Sequence, residues 1–161
     1  MFRELLAVSA AKEIEAQTNS PLMLLMLYDW GVNIRPENVL FHDAFTTHLP
    51  SPGGLFRHSV DEDNQEDEWV VEAEGAVAAS GGFLCHYNPP YGDLYMSVAE
   101  SSRRQGYGSY LVQELKRVCY EAGRKPAARC NAGNLASRLT LQKAGLLPCG
   151  RLMVGEVKAA G

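Results

Sequence analysis

The sequence predicts an α/β (α+β) domain, and three observations carry that expectation. Hydrophobic periodicity changes along the chain: helical spacing at the start, short strand-like apolar runs between residues 69 and 98, and helical spacing again from residue 107. One of those runs, Leu94–Val98, leads through a glycine turn into a strongly amphipathic helix, the strand–turn–helix order of mixed α/β architectures. Finally, 161 residues that are 46% hydrophobic and 21% charged suffice for one sizeable core without a disulfide or metal staple. Residues 1–161 therefore read as a single domain.

Taken in order, residues 2–17 read as an amphipathic helix, with Phe2, Leu5, Leu6, Ala10 and Ile14 at helical spacing. Asn19-Ser20-Pro21 breaks it and starts a second, with Ser20 as N-cap, Pro21 at the first helical position and Gly31 just past the end. That second helix is apolar nearly all round, so it must pack on the sheet or on a second copy of the chain, a homodimer. A short strand is expected over Val39–Phe45, and Leu49–Gly54 is a loop by composition. Glu68–Glu74 and Ala76–His86 form two strands around a turn near Glu74-Gly75, and Leu94–Val98 a third. The following helix presents Leu111, Leu115, Val118, Cys119 and Ala122 on one face and ends at Gly123. Pro126–Cys130 is a short strand, Asn134 caps a helix that runs through Ala144 to Gly145, and Leu146–Val157 is the last strand material.

Several classes of protein are excluded. The longest apolar run, Leu22–Leu27, is far too short to cross a bilayer, so no membrane partner is expected. Cys85, Cys119, Cys130 and Cys149 are widely separated and lack any Cys-x-x-Cys pair, which argues against a metal site or disulfide framework and for reduced cytoplasmic thiols. The opening residues imitate a signal peptide, but Glu4 interrupts an apolar stretch that is already too short.

Charge is polarised beneath a formal net of −4. Asp61, Glu62, Asp63, Glu66, Asp67, Glu68, Glu72 and Glu74 form a run of eight acids with no base. Such a run is a solvated loop unless it borders a site, where it attracts a cationic substrate. From Arg103 to Lys158, eleven bases face three acids, and that half calls for an anion. Nucleic acid is disfavoured, because aromatics are not interleaved with those bases and the whole chain is acidic.

The anion-binding chemistry concentrates at Arg103-Arg104-Gln105-Gly106-Tyr107-Gly108-Ser109. A glycine turn entering a helix offers unpaired N–H groups at the positive end of the helix dipole, where phosphate binds. The dinucleotide fingerprint fails, since Leu111 stands where its third glycine belongs, and no Gly-Lys-Ser/Thr phosphate loop is present. Arg103-x-x-Gly106-x-Gly108, following Asp93–Val98, resembles the coenzyme A pyrophosphate loop of the GNAT N-acyltransferase superfamily. Asn134-x-x-Ser137 with Leu141-Gln142-Lys143-Ala144-Gly145-Leu146 is similar to that family's later motif. The resemblance covers residues 69–157, an acyl-CoA-binding core, and leaves residues 1–45 as a helical N-terminal region without a match.

The resemblance implies a GNAT-like mixed, mostly antiparallel central sheet flanked by helices, with two strands splayed to admit pantetheine. It implies acetyl-CoA or another acyl-CoA as co-substrate, no metal, and a small-molecule or peptide amine as acceptor. Carried over, Met96, Ser97 and Val98 offer backbone groups to pantetheine and the thioester carbonyl. Arg104, Gln105, Gly106, Tyr107, Gly108 and Ser109 give N–H groups to the pyrophosphate, and Arg103 adds charge. Asn134 meets the pantetheine amides with Ser137 nearby, although an N-cap explains Asn134 equally well.

Acyl transfer to an amine needs a polarised carbonyl and a base that removes the amine's proton. Asp93 is the first candidate for that base, ahead of Glu100 and His86. The family's usual tyrosine acid falls at Leu141, so a thiolate leaving unaided, or Ser137, Tyr107 or water as donor, must replace it. An N-acetyltransferase is the first reading, and an acyl-CoA-binding regulatory or interaction module with little catalysis is the second.

Overall fold

The computed structural model describes residues 13–59, 68–85 and 89–158. His86, the acids Asp61–Asp67 and most of the expected first helix lie outside the described residues. Eight strands and three α-helices are found among the described residues, and the chain divides into two compact units. One comprises Met1–Leu40, Asn131–Gly133 and Gly150–Gly161; the other comprises Phe41–Cys130 and Asn134–Cys149.

In the first unit, β1 (Glu13–Thr18) runs antiparallel to β8 (Leu146–Lys158), in register from Glu13 opposite Lys158 to Thr18 opposite Met153. Residues 13–17 are thus a strand where the sequence predicted the end of a helix. The physical reason lies in their alternation: Ile14 and Ala16 turn inward while Glu15 and Gln17 are exposed, a period of two. Helix α1 (Pro21–Trp30) starts and stops where Ser20, Pro21 and Gly31 predicted. It packs Met23, Leu24, Met26 and Leu27 into a small core with Ile14, Ala16, Ile34 and Val157. The expected burial of this helix holds for one face only, because Leu22, Leu25 and Tyr28 remain exposed. Strand β2 (Gly31–Asp43) begins eight residues before the expected Val39.

In the second unit the strand order is β7-β6-β5-β4-β3. Strand β3 (Leu55–Ser59), which composition did not announce, pairs antiparallel with β4 (Glu68–Ala73). Strand β4 pairs antiparallel with β5 (Ala76–Leu84), and β5 with β6 (Tyr91–Val98). Strands β6 and β7 (Lys125–Asn131) run parallel, completing a mixed, mostly antiparallel sheet. Helix α2 (Tyr107–Glu121) connects them, as a parallel pair requires. Leu111, Val112, Leu115 and Cys119 on α2, with Val71, Ala79 and Leu94 from the sheet, are buried as core. Ala122, assigned to that apolar face by spacing, is exposed at the helix end. The helix closes as Gly123 predicted, with the Arg124 N–H reaching back to the Cys119 carbonyl. Helix α3 (Leu135–Lys143) follows β7 and lies beside α2.

Candidate functional site

Parallel pairing between β6 and β7 runs from Tyr91–Lys125 to Leu94–Ala128 and stops there. Strand β6 continues to Val98 with β5 still at its other side, and the register with β7 does not extend to the edge Met96–Val98. A cavity of about 760 Å³ receives that edge, a volume within the usual range for small-molecule sites. Its lining comes from Met96, Ser97 and Val98 on β6, from the start of α2, and from α3.

The glycine turn builds the second wall. Gly106 is the N-cap of α2 at φ 95°, in the left-handed region that an L side chain resists. The first internal helix bond is Tyr110 N–H to the Gly106 carbonyl, and the Ser109 hydroxyl donates to the same carbonyl at 3.0 Å. The N–H groups of the first turn are therefore those a helix leaves without internal partners, and no acidic side chain occupies that turn. At Gly108 a Cβ would stand 3.0 Å from Val98 Cγ2 and 3.2 Å from Thr140 Cγ2, so the close approach of α2, β6 and α3 depends on its absence. Arg103, Arg104 and Lys143 line the cavity and no carboxylate does, which suits a diphosphate-bearing ligand.

The third wall is α3. The Asn134 side chain accepts the Ser137 N–H at 3.0 Å, a standard N-cap. That bond uses only Oδ1, so the amide's N–H groups remain a separate resource, and capping and ligand binding are not exclusive for this residue. Ala136, Leu139, Thr140 and Lys143 also line the cavity. Sequence reading missed them, although their i, i+3, i+4, i+7 spacing from a capped helix start marks one face.

Of the predicted binding residues, Met96, Ser97, Val98, Arg103, Arg104, Gly106, Tyr107, Gly108, Ser109, Asn134 and Ser137 meet around this one cavity. Gln105 turns away, its Nε2 donating to the Ser101 carbonyl at 2.9 Å. Asp93 is not part of the lining. It sits three residues before Met96, about 10 Å along the strand, and its Oδ2 is 3.1 Å from Arg129 Nε where the two strands part. Glu100 is exposed beside Arg103. Leu141 is buried in the core and does not line the cavity, so its position offers no acid there. No group of three or more His, Cys, Asp or Glu is placed to hold a metal among the described residues. No helix among them is long and apolar enough to cross a membrane.

A forked parallel pair, a glycine-turned helix start and a cation-lined cavity between them are the features that the sequence resemblance implied. Residues 28–146 match the model of the acetyltransferase (GNAT) family, and the chain belongs to that family. Membership makes it an enzyme of the acetyltransferase kind, whose fold supports acyl transfer. The match begins at residue 28, well before residue 69, where the motif resemblance starts. No curated protein matches in a sequence comparison. Among solved structures, an acetyltransferase of the GNAT family from Colwellia psychrerythraea is similar at a TM-score of 0.76 and 15% identity, over 98% of this chain and 72% of that one. A tandem GNAT protein from the clavulanic acid biosynthesis pathway is similar at a TM-score of 0.68 and 12% identity, over 99% and 68%. A GNAT-family acetyltransferase from Novosphingobium aromaticivorans is similar at 0.64 and 13%, over 98% and 81%. At these identities the likeness speaks for the fold.

Proposed function

We propose that the chain acts as a single N-acetyltransferase domain, moving an acetyl group from acetyl-CoA to a primary amine by direct attack in the cytoplasm. The observation that carries this reading is the fork: β6 loses its parallel partner at Leu94–Ala128, and its Met96–Val98 edge lines the same cavity as the N-terminus of α2. The thioester supplies the activated acyl carbon. The N–H groups of Arg104 through Ser109 hold the diphosphate, Arg103 adds charge, and Asn134 and Ser137 orient the pantetheine arm. Backbone N–H groups on the Met96–Val98 edge polarise the carbonyl as negative charge develops on it. Asp93, about 10 Å back along the strand that presents the reacting centre, accepts the amine's proton through a relay of waters, with its Oδ2 3.1 Å from Arg129 Nε. The acceptor is a small molecule or peptide, and the acidic run Asp61–Glu74 favours a cationic one.

Purified protein incubated with acetyl-CoA and a panel of amines should release free thiol, with an N-acetylated product of one added acetyl mass. Tight CoA binding without amine-dependent thiol release across neutral and cationic amines would instead favour the binding-module reading, which the buried Leu141 keeps in view.

A further inference from the structure

We infer that the segment joining β2 to β3 is a strap that sets the spacing between the glycine turn and α3, with Lys116 and Gln113 as positioning residues for CoA capture. The inference rests on the acyl-CoA reading above. Composition marks Leu49–Gly54 only as a loop, yet the segment follows α2 from its middle to its first turn. At one end the Lys116 ammonium, 5% exposed, lies 2.6 Å from the Phe45 carbonyl, 2.8 Å from the Ala144 carbonyl and 2.6 Å from Asp43 Oδ1. Three oxygens from two segments, Asp43–Phe45 and the end of α3, thus surround one buried cation, and the Tyr120 hydroxyl donates to the second Asp43 oxygen at 2.8 Å. The Ala44 and Phe45 N–H groups both donate to the Gly145 carbonyl, and the Thr47 hydroxyl to that of Ala144. The end of α3 is therefore held to α2 through the strap.

One helical turn nearer the site, the Leu49 N–H donates to Gln113 Oε1 at 2.6 Å, and Gln113 Nε2 returns a bond to the Leu49 carbonyl. The strap then reaches the cavity wall. A Cβ at Gly54 would stand 3.3 Å from the Tyr107 ring, and Pro52 is the nearest neighbour of the open side of Gly106. Lys116 and Gly106 are ten positions apart, about 15 Å of helix, and the strap spans that length. It grips α3 at one end and passes beside Tyr107 in the first turn of α2 at the other. Loosening it should change the gap that receives the cofactor and leave the β6 edge, which the sheet holds, in place.

The test measures CoA affinity by calorimetry, steady-state kinetics and thermal melts for wild type, Gln113→Ala, Gln113→Glu and Lys116→Met. Gln113→Ala should weaken CoA binding threefold to tenfold and raise the KM for acetyl-CoA equally, with kcat within twofold. Gln113→Glu, which keeps the acceptor for the Leu49 N–H but loses the donor to the Leu49 carbonyl, should restore only part of that affinity. Lys116→Met should exceed tenfold; if it fails to fold, the Gln113 pair decides alone. A lowered melting temperature with unchanged CoA affinity in Gln113→Ala shows the strap to be merely structural and overturns the inference. Absence of CoA binding by wild type removes the acyl-CoA reading itself, and the inference with it.

Discussion

Valine in place of Gly108 should cut CoA affinity at least a hundredfold while the fold survives. A Cβ at this position would lie 3.0 Å from Val98 Cγ2 and 3.2 Å from Thr140 Cγ2, against about 3.5–4.0 Å for comfortable carbon contacts. Both neighbours line the cavity, so the Val98 and Thr140 side chains that face it must give by a few tenths of an ångström. Alanine brings that clash alone, offset by a helix-propensity gain of roughly 0.5–1 kcal/mol, so stability should change little. Its effect should appear in binding, as about a tenfold loss, or about 1.4 kcal/mol. Valine adds two methyl groups to a Cβ already crowded by Val98 and Thr140, with Met96 Sδ 3.8 Å away, in the gap between β6 and α3 that lines the cavity. Calorimetric titration of CoA into each folded variant, with circular dichroism and melting as the folding control, reads the outcome. Wild-type affinity in a folded Gly108→Val protein would refute the assignment of this turn as the diphosphate site.

Gly106→Ala tests conformation in place of space: its Cβ has room, but φ 95° strains any L residue, so stability should drop by about 1–2 kcal/mol in urea melts. Gly106→Asn should lose less. Leu141→Tyr, which restores the family's usual residue, should overpack the core and cost about 1–3 kcal/mol without raising kcat; a faster enzyme of unchanged stability would contradict this. Asp93→Asn should lower kcat about a hundredfold or more. Stability should stay within about 1 kcal/mol, because the pair with Arg129 is partly exposed. The Cys119 thiol is pushed up to about 11, by burial first and by the neighbouring Cys85 second. The unfolded thiol ionises near its ordinary 9.0 while the native one stays protonated, so stability should be intact below that pH and fall as pH rises toward 11. Urea melts at stepped pH, flattened over the lower part of that window in Cys119→Ala, check it.

The residues that line the cavity were legible because their signals are local. The strand Leu94–Val98, the glycine turn and the Asn134 cap each declare themselves within a few residues, and the structure brings them around one cavity. The N-terminal region was harder, since Ile14 fits a helical stripe with Ala10 as readily as it fits an alternation with Ala16. Pairing with β8 decides between the two, and that partner lies about 140 positions away. The early start of β2 was hidden by Asn33, Pro36 and Glu37, poor strand formers that pairing nonetheless accommodates. Lys116 reads as one more base on a basic helix. Nothing in its own neighbourhood shows that Asp43 and two carbonyls await it, because the two carbonyls arrive from 71 and 28 residues away and the carboxylate from beside the first of them.

The most direct test of the account is an amide-resolved titration of isotopically labelled protein with acetyl-CoA. Saturable shifts should appear together at Arg104–Ser109 and at the β6 edge Met96–Val98, with a smaller response at Asn134 and Ser137. Saturable binding that leaves both the glycine turn and the β6 edge unperturbed, or no binding at all, would contradict the claim that this fork holds the acyl donor.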